Sequence, residues 1–163
     1  MAHGKRRTLD QMRSGNALMQ NALRTARSAA ETDAHLLLQG EHGTGRRTLA
    51  RAIHDAGPRP RGPFLSVPVA GAARLTAEWL RDKLLCAAGG TLYLWDVEAL
   101  PRDCEAVMED RLEIAPRTRV IVGTSHEKPL FEHDPLCEAV IRIPSLRRRP
   151  EDGPVDRDDV DAR

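Results

Sequence analysis

The sequence predicts an α/β fold with a five-stranded, mostly parallel sheet and helices on both of its faces. Helix-patterned runs alternate with short apolar runs along most of the chain, which is typical of strand-helix-strand units. The apolar runs, such as Leu36-Leu37-Leu38, are continuous rather than alternating, which indicates strands buried on both faces. A chain of 163 residues, 40% of them hydrophobic, is long enough for one domain of this class.

The helices are predicted from apolar residues at helical spacing and from the residues that start and end them. Ser14 is a suitable cap for the first helix, and Pro101 favours the start of the last one. The Gly- and Pro-rich segment 57–63 ends the second helix. The predicted helices comprise residues 16–30, 48–56, 75–85 and 101–112, and the predicted strands comprise residues 35–39, 64–69, 91–95, 118–124 and 139–143.

The amino-acid composition argues against several classes of function. Charged residues make up 30% of the chain but nearly cancel to a formal net charge of +1, so no overall field favours nucleic acid or an anionic membrane. Aromatic residues, at 3%, are too few for a platform on which bases stack. No apolar run approaches the length of a membrane span. We therefore expect a cytoplasmic protein without direct DNA binding and without membrane contact.

The two ends of the chain differ from its middle. We expect residues 1–13 to be a basic, flexible N-terminus, residues 14–152 to form the domain, and residues 153–163 to be an acidic, disordered tail. The three cysteines are far apart and odd in number, so they predict neither a disulfide framework nor a zinc site. We expect them to be buried thiols, and they are Cys86, Cys104 and Cys137.

A glycine-rich turn between the first strand and the second helix is the candidate functional segment. A strand, such a turn and a helix N-terminus present backbone N–H groups and a positive dipole end to a phosphate. The pattern G-x-x-x-x-G-K-[ST] asks for Lys at position 46 and a hydroxyl at position 47, and both are Arg here. We expect the Arg46 side chain to be exposed and His42 to be a solvated loop histidine. The candidate phosphate-binding residues are Gly40, Glu41, His42, Gly43, Thr44, Gly45, Arg46 and Arg47.

Other polar residues are assigned structural roles. His35 and His54 are expected to be packing residues, and Trp95 is expected to fill space at the carboxyl edge of the sheet. The three arginines at 147–149 are expected to form a solvated turn. Four further side chains have the composition of a metal site but a spacing that fits no metal-binding helix, so we predict no site there; they are His126, Glu127, His133 and Asp134.

Several separate segments, in the same order, resemble the central AAA+ ATPase domain of sigma-54-dependent transcriptional activators. The resemblance covers about residues 14–152 and implies a P-loop NTPase fold, a three-layer sandwich. In that family the domain binds ATP, assembles into a ring and remodels RNA polymerase that carries sigma-54. The segments that carry the resemblance are residues 19–30, Gly-Glu-His-Gly-Thr-Gly-Arg at 40–46, Leu-Ala-Arg-Ala-Ile-His at 49–54, Gly-Gly-Thr-Leu-Tyr-Leu at 89–94, Arg-Val-Ile-Val-Gly-Thr at 119–124 and Ile-Pro-Ser-Leu-Arg-Arg-Arg-Pro-Glu-Asp at 143–152.

The chain departs from the family at the positions that carry its chemistry. Arg46 replaces the lysine that holds the β- and γ-phosphates, keeping the charge but losing the compact ammonium group. The family's third strand ends in Asp-Glu, for Mg²⁺ and for the attacking water, whereas this chain has Trp95 and Asp96. Asp96 is therefore a weak catalytic candidate, and Mg²⁺ binding is doubtful. Ser125 stands where the family has Asn.

Larger elements of the family have no counterpart in the sequence. Between Ala70 and Gly89 the family carries a longer insertion with the Gly-Ala-Phe-Thr-Gly-Ala loop that contacts sigma-54, and this chain has only a short helix. The segment that would supply ring arginines, 131–134, reads Phe-Glu-His-Asp. The resemblance ends about where the helical lid would begin. We expect no sigma-54 contact, no helical lid and no part that reads DNA.

Three interpretations of function follow. The first is a degenerate, nucleotide-binding regulatory module whose ATP binding is weak and whose hydrolysis is lost. The second is a pseudo-ATPase that acts only through protein contacts in a bacterial regulatory system, self-association included. The third, a working ATPase, ranks last. A missing arginine finger alone removes about 10³–10⁵ in phosphoryl transfer, and a lost metal removes several kcal/mol more.

Overall fold

Five parallel strands form the middle layer of the protein. The computed structural model describes residues 7–126 and 137–152. Within these ranges the strand order is β2-β3-β4-β1-β5, and every neighbouring pair is parallel. The predicted α/β class with a five-stranded sheet is confirmed. The strands are β1 (Leu36–Gln39), β2 (Phe64–Pro68), β3 (Thr91–Trp95), β4 (Arg119–Thr124) and β5 (Ala139–Arg142).

Helices cover both faces of this sheet and make the fold a three-layer sandwich. Side chains on β1 alternate between the two faces: Leu36 and Leu38 pack with α1 and α2, and Leu37 packs with α3 and α4. Both faces are therefore buried, which explains the continuous apolar runs in the sequence. The helices are α1 (Ala17–Ala30), α2 (Arg46–Asp55), α3 (Ala77–Cys86), α4 (Glu105–Glu109) and α5 (Arg111–Ile114).

The first helix is capped by Asn16 and not by Ser14, so the predicted cap is wrong. The Asn16 side chain accepts hydrogen bonds from the backbone N–H groups of Leu18 and Met19, at 3.1 and 3.2 Å. The Ser14 hydroxyl instead donates to the carboxylate of Asp152, at 2.7 Å. Because the serine hydroxyl binds Asp152, far along the chain, the asparagine two residues later caps the helix instead. Packing also begins before α1, because Leu9 is buried against the core beneath it.

The continuous helix predicted over 101–112 is wrong. The chain forms a 3₁₀ turn over Arg102–Cys104, then the short helices α4 and α5, with a break at Asp110. After this break the polar side chain is buried and the apolar one is not: Arg111 is only 6% exposed, whereas Leu112 is 53% exposed. The guanidinium of Arg111 donates to the carbonyl of Met108 at the end of α4, which satisfies one of the carbonyls that the break frees.

The cysteines only partly match the prediction of buried thiols. Cys104 is buried, and burial raises the pKa of its thiol, with the nearby Asp103 charge acting in the same direction. Cys137 is half-buried, and Cys86 is exposed at the end of α3, so the prediction is wrong for Cys86. In the described part of the chain, no helix is long and apolar enough to cross a membrane.

The two histidines predicted to be packing residues are both buried, which confirms that prediction. His35 precedes β1 and accepts a hydrogen bond at Nδ1 from the backbone N–H of Val120, at 2.9 Å. His54 lies on α2, and its Nδ1 is 2.9 Å from the hydroxyl oxygen of Thr91. Burial lowers the pKa of both imidazoles below the ordinary value of 6.5, with positive charge from Arg111 and Arg51 acting in the same direction.

These lowered pKa values predict that the protein loses stability as the pH falls through about 6.5. Below that pH the unfolded chain binds protons at His35 and His54 that the folded chain does not, so the free energy of unfolding decreases. We expect the free energy of unfolding to be lower at pH 5.5 than at pH 7.5, with a slope of at most about 1.4 kcal/mol per pH unit for each histidine. Urea unfolding at the two pH values measures it. His54→Gln should lose less than the wild type on acidification, because it removes one of the two buried titrating groups.

His126→Gln is the matched control, because the His126 side chain is 62% exposed. It should lose as much stability on acidification as the wild type. An equal loss in His54→Gln and in the wild type would contradict the assignment of pH sensitivity to the buried imidazole.

Candidate functional site

The glycine-rich turn, residues 40–47, lies at the carboxyl end of β1 and leads directly into α2. Gly43 and Gly45 have φ values of 75° and 90°, in the left-handed region that favours glycine. Gly45 is the N-cap of α2 and supplies no side chain to cap it. The positive end of a ten-residue helix therefore faces the turn without a side-chain acceptor. Such a helix end favours an anion.

The turn is held against the sheet by backbone contacts. The N–H of Gly40 donates to the carbonyl of Thr124 on β4, at 3.0 Å. A Cβ atom at Gly40 would approach the Thr44 hydroxyl oxygen and the Ile143 carbonyl oxygen within 3.0 and 3.1 Å, so this position accepts little beyond glycine. The Thr44 hydroxyl donates across the turn to the carbonyl of Glu41, at 2.7 Å. These contacts fix the shape of the turn before any ligand binds.

Arg46 is buried, at 5% exposure, so the prediction of an exposed loop side chain is wrong. It is the first residue of α2, and its guanidinium contacts one residue of the turn and one residue that follows β3. Its Nη2 lies 3.6 Å from Oδ1 of Asp96 and 3.3 Å from Nδ1 of His42. The charge of Asp96 accounts for this placement, since a buried guanidinium needs a negative partner. His42 is exposed, as predicted, and its Nε2 reaches within 3.8 Å of the same carboxylate oxygen.

Asp96 follows β3 in an unusual backbone conformation, with φ 58° and ψ 46°. It is the one non-glycine residue with positive φ among residues 7–126 and 137–152. Aspartate tolerates this region better than most residues, and the turn directs its carboxylate towards Arg46. Two buried atoms of the pair, Nη1 of Arg46 and Oδ1 of Asp96, make no hydrogen bond within the described chain. The pair is electrostatically matched but incompletely hydrogen-bonded.

Glu98 is a site residue that the sequence patterns did not indicate. Its Oε1 accepts a hydrogen bond from the hydroxyl of Ser125, at 3.0 Å. Burial raises the pKa of this carboxyl, but hydrogen bonds from its own backbone N–H and from the hydroxyls of Ser125 and Thr124 outweigh burial and lower it overall. The available signal was its spacing, two residues after Asp96 at the carboxyl edge of the sheet. Glu98 places a second carboxylate beside the end of β4.

Two of the three arginines at 147–149 contact the turn, and the prediction of a wholly solvated segment is wrong for one of them. Arg147 is exposed and pairs with Glu41 through both guanidinium nitrogens. Arg149 is buried and donates to the carbonyl of Thr44, at 2.8 Å. The tight turn orients this carbonyl towards the protein interior, where a buried donor has to satisfy it. Asp152 then joins Arg149, at 3.5 Å, to the start of α1 through Ser14.

No cluster of three or more His, Cys, Asp or Glu side chains that could hold a metal ion occurs in residues 7–126 and 137–152. Trp95 is half-buried, packs against the core under α1 and α2, and offers no oxygen ligand. Of the four residues with metal-ligand composition, His126 lies 3.7 Å from Glu98. The others, Glu127, His133 and Asp134, lie outside the described residues, as does the segment 131–134.

Comparison with known proteins agrees with this geometry. The model of the sigma-54 interaction domain matches residues 12–85. The DNA-binding transcriptional regulator NtrC of Rhizobium meliloti is 28% identical over 176 residues, which cover 85% of this chain and 36% of that protein. The chain thus spans about a third of the length of the curated relatives it matches.

Solved structures show the same relationship. NtrX from Brucella abortus in complex with ATP matches with a TM-score of 0.67 and 24% identity, covering 87% of this chain and 40% of that one, which shows the shared fold. The P-loop NTPase domain of the sigma-54 transport activator from E. coli matches with a TM-score of 0.55 and 30% identity, covering 64% of this chain and 84% of that one. The chain belongs to the family of sigma-54 interaction domains, which have the fold of P-loop NTPases.

Proposed function

We propose that the chain is a nucleotide-binding regulatory module related to sigma-54-dependent activators, with weak ATP binding and no hydrolysis. The observation that carries this proposal is the incompletely bonded Arg46 at the N-terminus of α2, in a turn whose glycines leave the helix end open. The NtrX structure of similar fold was solved in complex with ATP. Phosphate oxygens are the acceptors that a buried guanidinium and a helix N-terminus both favour.

The residues of the turn fit a phosphate chain better than they fit Mg²⁺. Gly43 and Gly45 leave open space within 4 Å of where a Cβ atom would stand, so phosphate oxygens can approach the backbone. Arg46 would exchange part of its contact with Asp96 for a charge-assisted hydrogen bond to phosphate. Trp95 takes the position where a carboxylate would hold the metal. ATP is therefore the proposed ligand, and Mg²⁺ has no obvious protein ligand at this position.

Hydrolysis requires an acid or base and a metal-bound phosphate that this site is poorly equipped to supply. The carboxylate of Asp96 already faces the buried guanidinium of Arg46, so this contact engages the one candidate for the catalytic base. A metal ion and an arginine finger each lower the activation barrier of phosphoryl transfer by several kcal/mol, and every ~1.4 kcal/mol changes the rate tenfold. Bound nucleotide would then act structurally, by ordering the turn and the segments attached to it.

The proposed partner is another protein of a bacterial regulatory system, with self-association as one form of this. Only α3 and its short connections occupy the stretch between Ala70 and Gly89, where the family carries its sigma-54-contacting loop. We therefore propose no contact with sigma-54 and no direct contact with DNA. The NtrC proteins of Rhizobium meliloti and Azospirillum brasilense are named DNA-binding transcriptional regulators, and this chain corresponds to about a third of their length.

One observation favours a second candidate function, a pseudo-ATPase that acts only through protein contacts. Arg46 already has a negative partner in Asp96, so the site is partly neutralised without nucleotide. In that case the turn is an inherited structural element and ATP has no effect on the protein. A working ATPase with Asp96 as its base is the third candidate.

Thermal unfolding with and without ATP separates the first two functions. Saturating ATP should raise the melting temperature, since a ligand at about 100 times its Kd adds roughly 2.7 kcal/mol to stability. Gly45→Val should abolish this shift, because its side chain would occupy the space left for phosphate and distort the turn. Arg46→Ala should remove most of the shift and also destabilise the free protein, because Arg46 is buried.

Gly71→Val is the matched control for Gly45→Val. Gly71 also has positive φ, 85°, and open space at its Cβ position, but it lies between β2 and α3. The two variants should carry similar backbone strain, about 1–3 kcal/mol, whereas only Gly45→Val should lose the ATP shift. If the wild type shows no shift at millimolar ATP, the nucleotide-binding proposal fails and the protein-contact function replaces it.

Removing the charge of Asp96 should strengthen ATP binding. In Asp96→Asn the residue still tolerates its left-handed backbone, but Arg46 loses its negative partner, so the free protein should lose about 1–2 kcal/mol of stability. The same change releases the guanidinium for phosphate, and the ATP-dependent shift should grow. Asp55→Asn is the control, since it breaks a pair with Arg51 on the same helix, away from the turn. An unchanged or smaller shift in Asp96→Asn would show that Asp96 does not compete with the ligand.

ATP turnover should be indistinguishable from a blank without protein. The replaced lysine and metal-binding acid account for this, and Arg46→Lys alone should not restore activity. Phosphate release measured with excess Mg²⁺ tests it. Release clearly above the blank that disappears in Asp96→Ala would establish Asp96 as a catalytic base and overturn the assignment.

A further inference from the structure

Strand β5 forms one edge of the sheet. It pairs with β1 on one side, and within residues 7–126 and 137–152 no strand pairs with its other side. Such an edge presents backbone N–H and C=O groups that can pair with another strand. At the opposite edge, β2 follows Pro63 and has Pro68 as its last residue, and proline protects an edge by removing a donor. Residues 138–142 contain no proline.

The two faces of β5 have different environments. Ala139 and Ile141 pack with the core beneath α1. The residues that alternate with them, Glu138, Val140 and Arg142, are exposed. Val140 is 38% exposed and belongs to neither of the two buried clusters. An apolar side chain therefore lies between two charged side chains on the exposed face of the edge strand.

The two charges on this face have opposite signs, and neither has an ion-pair partner. No oppositely charged side chain lies within 4.0 Å of Glu138 or Arg142 in the part of the chain that the structure describes. The Nε of Arg142 donates to the neutral Oε1 of Gln39, at 3.1 Å. The Oε1 of Glu138 accepts a long hydrogen bond, 3.4 Å, from the backbone N–H of His35. Both charges thus remain available to a partner that approaches this edge.

We propose that β5 pairs in antiparallel orientation with β5 of a second copy of this chain, about a two-fold axis at Val140. When Val140 lies opposite Val140 of the second copy, Glu138 lies opposite Arg142 of that copy and Arg142 lies opposite its Glu138. Residues that lie opposite each other share one face of a sheet, so two ion pairs flank an apolar contact. The strand is therefore complementary to itself.

The signs of the charges distinguish this arrangement from ordinary protection of an edge. Charged side chains often keep edge strands apart, because two copies that carry the same charge at facing positions repel each other. Here the facing positions carry opposite charges and attract. Because the pairing covers only residues 138–142, it buries less than a standard interface of about 1,600 Å², and the dimer is weak.

The dimer gives a partner to the self-association included in the proposed function, and the inference rests on that part of it alone. It does not require ATP binding at the turn 40–47. Saturating ATP should therefore leave dimerisation unchanged, whereas the proposed ATP binding is tested by the melting temperature. Either proposal can fail while the other one holds.

Sedimentation equilibrium of the full chain without nucleotide, up to millimolar protein, tests the proposal. We expect a reversible equilibrium between monomer and dimer. Glu138→Arg and Arg142→Glu each place like charges at both facing pairs and should raise the Kd of the dimer at least about tenfold. An equimolar mixture of these two variants should dimerise again, because each variant then supplies the charge that faces its partner's altered residue.

A variant at the axis tests the same pairing without changing either charge. This is useful because Glu138 also acts as an opposite charge on the buried Arg119, so Glu138→Arg lowers the stability of the monomer as well. Val140→Lys places two like charges face to face and should raise the Kd at least about tenfold. Leu85→Lys is the matched control, since Leu85 is 50% exposed but lies on α3 and not on the edge strand. It should leave the Kd unchanged.

Three results would overturn the proposal. The first is a wild type that stays monomeric up to millimolar concentration, with or without ATP, or that associates only with ATP, which would place the contact at the turn. The second is a mixture of the two folded charge variants that stays monomeric. The third is an equal effect of Val140→Lys and Leu85→Lys on the Kd.

Discussion

The position of β1 between β4 and β5 is the constraint on which the rest of this structure depends. Each residue of β1 pairs with both neighbours: Leu37, for example, lies opposite Val122 and Val140. Because the strand is buried on both faces and hydrogen-bonded on both edges, its two ends are fixed in space. The glycine turn leaves its carboxyl end and therefore derives its position from this one short strand.

At the carboxyl end of β1, the backbone of the turn has the geometry of an anion site, whereas its buried side chains already include a negative group. The turn keeps what the backbone supplies: the left-handed glycines, the uncapped helix end, and the close packing of Gly40 against Ile143. The side chains form the buried pair of Arg46 and Asp96, at the two positions where the resemblance to the family predicts a lysine and a catalytic carboxylate. That pair gives the site a negative group of its own. A phosphate therefore has to compete with a carboxylate already in place.

The sequence was sufficient for the features that depend on periodicity and on local backbone rules. Continuous apolar runs predicted all five strands to within a residue or two, and the glycine spacing predicted the turn before α2. Features decided by distant contacts were not predictable. Asn16 rather than Ser14 caps α1 because Asp152, far along the chain, binds the serine. Arg149 is buried because the carbonyl of Thr44 needs a donor, and Glu98 joins the site through Ser125, which follows β4. None of these contacts between distant residues can be recognised from the sequence of a single segment.

The failed prediction at Arg46 shows why the presence of a phosphate-loop pattern is weak support for nucleotide binding in this chain. The glycines of the turn also serve the fold, because Gly40 sits where a side chain would collide with Thr44 and Ile143. Selection for folding alone could preserve part of the pattern, so the pattern by itself does not separate a binding site from an inherited turn. Arg46 is the residue to test, because its guanidinium is buried beside Asp96 and its Nη1 makes no hydrogen bond within the described residues. A core optimised for stability alone would more readily hold an apolar side chain at that buried position, since burying a charge without full hydrogen bonding is costly.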